Sequence, residues 1–419
     1  MLIRKYSEYL VLGFLGIVGA LASEAGRILI KGPSYAYATF NDIQFYTAMV
    51  FNLWGEPMQV EQEITLRGFD LSPAEFADFY RNEDSFWATH VHPENGLSHQ
   101  PPWAYRVLVP TLAAGVRAFG VPLAGSFLLV YVLSAGLLTV SVYLLINRFA
   151  QRRLWALMVS LGVLAAALAS TSPGYPDMTF LGLAMLAVAF AYRGSGLGFA
   201  VSGFAAGLTR ETALLLVATW VLISWSNASL TWRRTTFVLG PVSGVLVARA
   251  IVEVPNSQVA YGAMVQNPAQ WPLALFWALM VVLTIGVVSP RLVRYVFALD
   301  SGRRAFAETL LLMIGAAFVL TSAVLNLASP RMALLALPLF LAPSGWSQAD
   351  SRFWLAAALV ASLGYAASDT LAFRADPVLG SLPWLASAGL VVALQTAAAM
   401  RDRASRDRSE ASVLGVKPS

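Results

Sequence analysis

The tetrapeptide Thr209-Arg210-Glu211-Thr212 separates two apolar runs of only 13 and 15 residues, 197–209 and 212–226. An ionised side chain at membrane depth costs at least about 2.5 kcal/mol, so this pair must sit near a surface, in a cavity or in an ion pair. Two readings follow. Arg210 and Glu211 form a structural clamp between two short helices, by an Arg–Glu or Arg–backbone contact. Alternatively, the Arg210 guanidinium is a fork for phosphate oxygens, with Glu211 a further substrate contact. Arg331, in Asn-Leu-Ala-Ser-Pro-Arg, opens another short apolar segment at 331–344. It reads either as an interfacial arginine that snorkels or as a second phosphate contact. Arg106 is a third cation set in apolar sequence.

Carboxylates supply the complementary chemistry. Asp42 stands at the start of a segment in which Ile43, Tyr46, Val50 and Leu53/Trp54 recur at helical spacing. That pattern predicts an amphipathic helix lying in the interface, with Asp42 favoured by the helix dipole. A carboxylate there can also act as a general base. Asp177 follows Pro173, Gly174 and Pro176 in a tight turn, where Asp is a common turn or cap residue. His90, His92 and His99 are the three histidines of the chain. Their spacing matches no metal motif, so His92 and His99 are read as substrate contacts or proton carriers. Glu56, Glu61, Glu63, Glu83 and Asp84 on the same stretch read as solvated loop charges.

These residues must be positioned by membrane helices. The 419-residue chain is 58% hydrophobic and 12% charged, with mean hydropathy +0.65. A soluble chain carries about 25% charged residues. No cysteine is present, which excludes disulfides, thiolate metal sites and a cysteine nucleophile. The arginines are scattered rather than gathered on one basic face, so no nucleic-acid partner is expected.

A spanning helix needs roughly 20 apolar residues. Apolar runs lie near 8–30, 122–146, 154–171, 176–192, 197–209, 212–226, 235–252, 271–289, 307–327, 331–344, 353–371 and 381–399, which makes about 12 membrane segments, several of them short. The first follows Arg4 and Lys5 as a signal peptide would, but its apolar run continues through Ile30, so an uncleaved helix is expected. Residues 31–121 form one large hydrophilic loop with juxtamembrane helices, and 400–419 a polar, disordered tail. If 104–120 does not cross, the clusters at 148–153, 233–234 and 291–304 fall on one side with both termini. The positive-inside rule makes that side cytoplasmic and puts 31–121 outside. No internal repeat is visible, which argues against transporter plans built on inverted repeats.

In order along the chain, Asn41-Asp42-Ile43, Ser-His-Gln-Pro-Pro-Trp-Ala-Tyr-Arg ending in Phe119-Gly120, Tyr175-Pro176-Asp177, Thr209-Arg210-Glu211-Thr212 and Ser329-Pro330-Arg331 resemble the motifs of the GT-C superfamily of polytopic membrane glycosyltransferases. The resemblance covers residues 1 to about 344. It lacks the acidic pair that metal-dependent members carry at the position of Asp42, and it lacks a large C-terminal soluble domain. It implies an all-α, GT-C-like body over 1–399 that transfers a sugar, with inversion, from a polyprenyl-phosphate-linked donor to an acceptor hydroxyl on a glycan, lipid or protein. Asp42 would be the general base and Asp177 its assistant or the acceptor's orienting group. Arg210, Arg331 and Arg106 would bind the lipid phosphate, and no metal or other cofactor is expected. The implied location is a bacterial inner membrane, with the site on the periplasmic face. Rival classes are a transporter or lipid flippase, an O-antigen ligase or polymerase, and a non-catalytic assembly subunit of the same build.

Overall fold

The computed structural model describes residues 2–31, 46, 49–50, 91–92, 97–98, 106–121, 123–148, 153–251, 302–324 and 335–341. They are helical apart from connecting turns and one two-residue antiparallel ladder, Val91–His92 against Leu97–Ser98. Asp42, His90, His99, Arg331 and the apolar runs 271–289, 353–371 and 381–399 lie outside the described residues.

Helix α1 (Leu2–Lys31) packs along α3 (Leu123–Ile146), and α2 (Leu108–Arg117) lies against the start of α3. Short connections then lead through α4 (Arg153–Ser170), α5 (Asp177–Tyr192) and α6 (Gly196–Thr209). After one 3₁₀ turn, Glu211–Leu214, come α7 (Leu215–Ser226) and, behind a one-turn helix at Trp232–Thr235, α8 (Leu239–Ile251). Helices α9 (Arg303–Val324) and α10 (Leu337–Leu341) complete the described part. Among the described residues, three helical stretches, Ser7–Arg27, Gly125–Ile146 and Trp232–Ile251, are long and apolar enough to cross a membrane. Helix α2 has ten residues and reaches about 15 Å, half a bilayer core.

The middle of the bundle is apolar on all sides, as expected of helices with no aqueous face. Helices α3 and α5 form its centre, with Leu138, Phe180, Leu181 and Met185 fully buried between their neighbours. Some hydroxyls there bond within their own helix: Ser134 Oγ donates to Val130 O at 2.7 Å and Thr139 Oγ1 to Ala135 O at 2.9 Å, whereas the buried Ser141 Oγ makes no hydrogen bond among the described residues. Ser134 also pairs across to Thr179 of α5 at 2.7 Å. On α1, Leu10, Phe14 and Leu29 face outward and stay exposed. A run of such residues suits an apolar surrounding rather than water.

Helices α6 and α8 approach through glycine. A Cβ at Gly207 would fall 2.6 Å from Pro241 O and 2.8 Å from Val245 N, both backbone atoms that cannot swing aside. Gly207→Val is therefore expected to destabilise the bundle by about 1–3 kcal/mol. Gly115→Ala, where nothing lies within 4 Å, should leave stability unchanged or slightly raised. Thermal unfolding of the detergent-solubilised variants checks both.

Candidate functional site

Because the connections are short, successive helices run antiparallel, and the bundle has two distinct ends. One end gathers the 170–177 turn, the α6–α7 break and the chain entering α2. The turn is tight because Gly174 takes φ +92°, open to glycine at no steric cost, while Tyr175 N–H donates to Ser172 O at 3.2 Å. It delivers Asp177 as the first residue of α5, fully buried, where the helix dipole favours a carboxylate.

The partner of Asp177 comes from the break. Arg210 has extended backbone (φ −159°, ψ 147°), which stops α6 and starts the 3₁₀ turn. Its Nη1 donates to Asp177 Oδ1 in an ion pair that is almost wholly buried. The next residue faces a second cation. Glu211 Oε2 lies 3.7 Å from Nε of Arg106, whose Nη1 donates to the Tyr46 hydroxyl at 3.0 Å. Arg106 is itself buried, set beside a small apolar cluster of Tyr46, Val50, Val107, Val109, Ala113 and Phe127. Thus two guanidiniums and two carboxylates alternate at one end, joined through the single peptide between Arg210 and Glu211. Among the described residues, the buried Glu211 Oε1 and Thr212 Oγ1 make no hydrogen bond.

A third group, which sequence reasoning missed, fastens the turn itself. Arg27 of α1 donates Nη1 to Glu24 Oε1 at 2.7 Å and to Thr171 O at 2.9 Å, and Nη2 to Leu168 O. It caps the carbonyls that α4 leaves open at its C-terminus, where a cation also suits the dipole. The Tyr131 hydroxyl donates to Thr171 O at 3.2 Å from α3. The signal was available: Glu24 and Arg27, three residues apart just after the uncharged stretch 9–23, are an ionisable pair in a membrane-grade segment.

Of the residues singled out from sequence, the structure brings Arg106, Asp177, Arg210 and Glu211 to one end. The clamp imagined between Arg210 and Glu211 takes another form, in which each bonds to a different distant partner. Tyr46, Met49 and Val50 of the amphipathic segment after Asp42 are helical and buried against α2 and α3. His92 contributes backbone to the small ladder. No cluster of three His, Cys, Asp or Glu side chains that could hold a metal occurs among the described residues.

Chemically, such a site offers guanidinium donors already held in place and able to receive an oxyanion, next to carboxylates able to accept a hydroxyl proton. Compared with protein-family models, curated proteins and solved structures, the chain finds no match.

Removing one partner of a buried ion pair leaves the other charge uncompensated, at a cost of about 3–5 kcal/mol. Asp177→Asn and Arg210→Gln should each lower stability by that order, and the double variant should cost clearly less than their sum. A double-mutant cycle on chemical or thermal unfolding reads this directly.

Proposed function

We propose that this chain is an integral-membrane glycosyltransferase with a GT-C-like body of about twelve membrane segments. It moves a sugar from a polyprenyl-phosphate donor to an acceptor hydroxyl of a glycan, a lipid or a protein. The observation that carries the reading is the meeting of Asp177 with Arg210, and of Arg106 with Glu211, at a break between two short apolar helices. A donor whose leaving group is a lipid phosphate needs cations at the end of an apolar bundle, where the prenyl tail stays in lipid and the phosphate reaches charge. Arg106 and Arg210 meet that need, and Arg331 joins them in this reading.

In the reaction, Asp42 takes the proton from the acceptor hydroxyl. The hydroxyl oxygen attacks the anomeric carbon from the face opposite the phosphate, so configuration inverts. The C–O bond to the lipid phosphate breaks, and the guanidiniums stabilise the released phosphate. An approaching phosphate competes with Asp177 for Arg210, and this loosens a carboxylate that can then orient the acceptor. His92, His99 and Glu211 complete the substrate contacts. No metal is needed, since two or three arginines offset the phosphate charge. The positive-inside rule supports the orientation. Arg148, Arg153, Arg193, Arg233, Arg234, Arg303 and Arg304 lie at or beside the helix termini of the end opposite the site, and this supports the reading of that end as cytoplasmic and of the site as periplasmic in a bacterial inner membrane.

A transporter or lipid flippase is favoured by one feature, the charge pair buried inside the bundle. Turnover separates the two. Purified wild type should release free polyprenyl phosphate from one member of a polyprenyl-phosphate-sugar panel. Asp42→Asn should bind that donor equally well but turn over about 10²- to 10⁴-fold more slowly. Full activity in Asp42→Asn removes the base assignment, and wild type silent across the panel moves the transporter ahead.

A further inference from the structure

The opposite end of the bundle holds a second feature that the transfer reaction does not use. Helices α1 and α4 are tied together at the site end by Arg27, which reaches Thr171 O and Leu168 O. Towards their other ends a groove of about 430 Å³ lies between them, within the range of small-molecule sites. Its walls are Leu12 and Leu15 of α1 and Leu157 of α4, with the buried ring of Tyr143 from α3 behind them. Its mouth carries one anion and one cation, Glu8 and Arg153.

The two charges are placed so that each keeps unused capacity. Arg153 Nη1 donates to Glu8 Oε1, while the Arg153 side chain remains 73% exposed, so most of its five N–H donors face outward. Glu8 Oε2 accepts from the Tyr143 hydroxyl at a long 3.4 Å, and the Glu8 side chain is 36% exposed. A carboxylate has about four lone-pair sites, and two are engaged here. An exposed ion pair of this kind contributes little to stability, so the fold alone gives no reason for it at the mouth of an apolar groove.

We propose that this groove binds one phospholipid with a zwitterionic, primary-ammonium headgroup, its acyl chain along Leu12, Leu15 and Leu157. The lipid phosphate meets the outward donors of Arg153, and its ammonium donates to the free lone pairs of Glu8. The four charges then alternate in sign. A choline headgroup has no N–H to give Glu8, and an anionic glycerol headgroup places a hydroxyl and no cation beside it, so the pair selects against both.

The test is lipid titration of the purified, delipidated full chain, with bound lipid counted by native mass spectrometry. The probes are phosphatidylethanolamine, phosphatidylcholine and phosphatidylglycerol of identical acyl chains. Wild type should bind the ethanolamine lipid about tenfold more tightly than the other two. Glu8→Gln should lose that preference and gain affinity for the glycerol lipid, since Arg153 is then uncompensated. Leu15→Trp, at a partly exposed position, should fill the groove and weaken all three. Because the pair is surface-exposed, Glu8→Gln should fold, and the tryptophan variant gives an independent readout. Three lipids bound alike by wild type, a preference that survives Glu8→Gln, or tightest binding of the glycerol lipid would each overturn the proposal. Wild type that takes up none of the three also overturns it, and the groove then belongs to another part of the chain or to a second copy.

Discussion

Two opposite charges, Asp177 and Arg210, are buried together at one end of an apolar helical bundle, and neither can be there without the other. That requirement fixes where the first turn of α5 meets the end of α6, elements whose charged residues are thirty-three positions apart. It also explains why α6 and α7 are short. A helix that continued through 210 would carry the guanidinium along its surface into lipid, whereas an extended residue turns it inward to a carboxylate. Glu211 is then set one residue further on, where it faces Arg106.

The remaining polar contacts follow the same logic at the two ends. Arg27 closes the C-terminus of α4 and braces the turn that presents Asp177, while Glu8 and Arg153 pair where α1 and α4 reach the other end. Between the ends, the Ser134 and Thr139 hydroxyls bond to their own helix and glycines let neighbouring backbones touch. Among the described residues the charged contacts thus gather at two rims, and the rim with buried charges is where we propose the reaction at a lipid phosphate.

Much of this was legible in the sequence because an apolar run that stops at a charge, Pro or Gly marks a membrane-grade helix directly. The expected run 122–146 is α3 at Leu123–Ile146, and the expected 197–209 is α6 at Gly196–Thr209. The entry to α8 was less legible. The run was expected from 235, yet helix begins at Trp232, because Thr231 accepts from Arg234 N–H as an N-cap while Arg233 and Arg234 look like loop. The pairing of charges was not legible at all. Spacing along one chain shows that Arg210 needs a partner but cannot choose between the adjacent Glu211 and the distant Asp177, since that choice is made by how α5 and α6 pack. Nor does sequence say that Arg106 is drawn in by Tyr46 and a small apolar cluster, because those contacts join separate segments.

The account turns on whether the rim holding Arg106 and Arg210 receives a lipid phosphate. The most direct measurement is thermal stabilisation of the purified protein by a short-chain polyprenyl phosphate against the matching uncharged polyprenol. The account predicts stabilisation by the phosphate alone, lost in Arg106→Gln. Equal stabilisation by both compounds, or a phosphate effect untouched by that substitution, would contradict it.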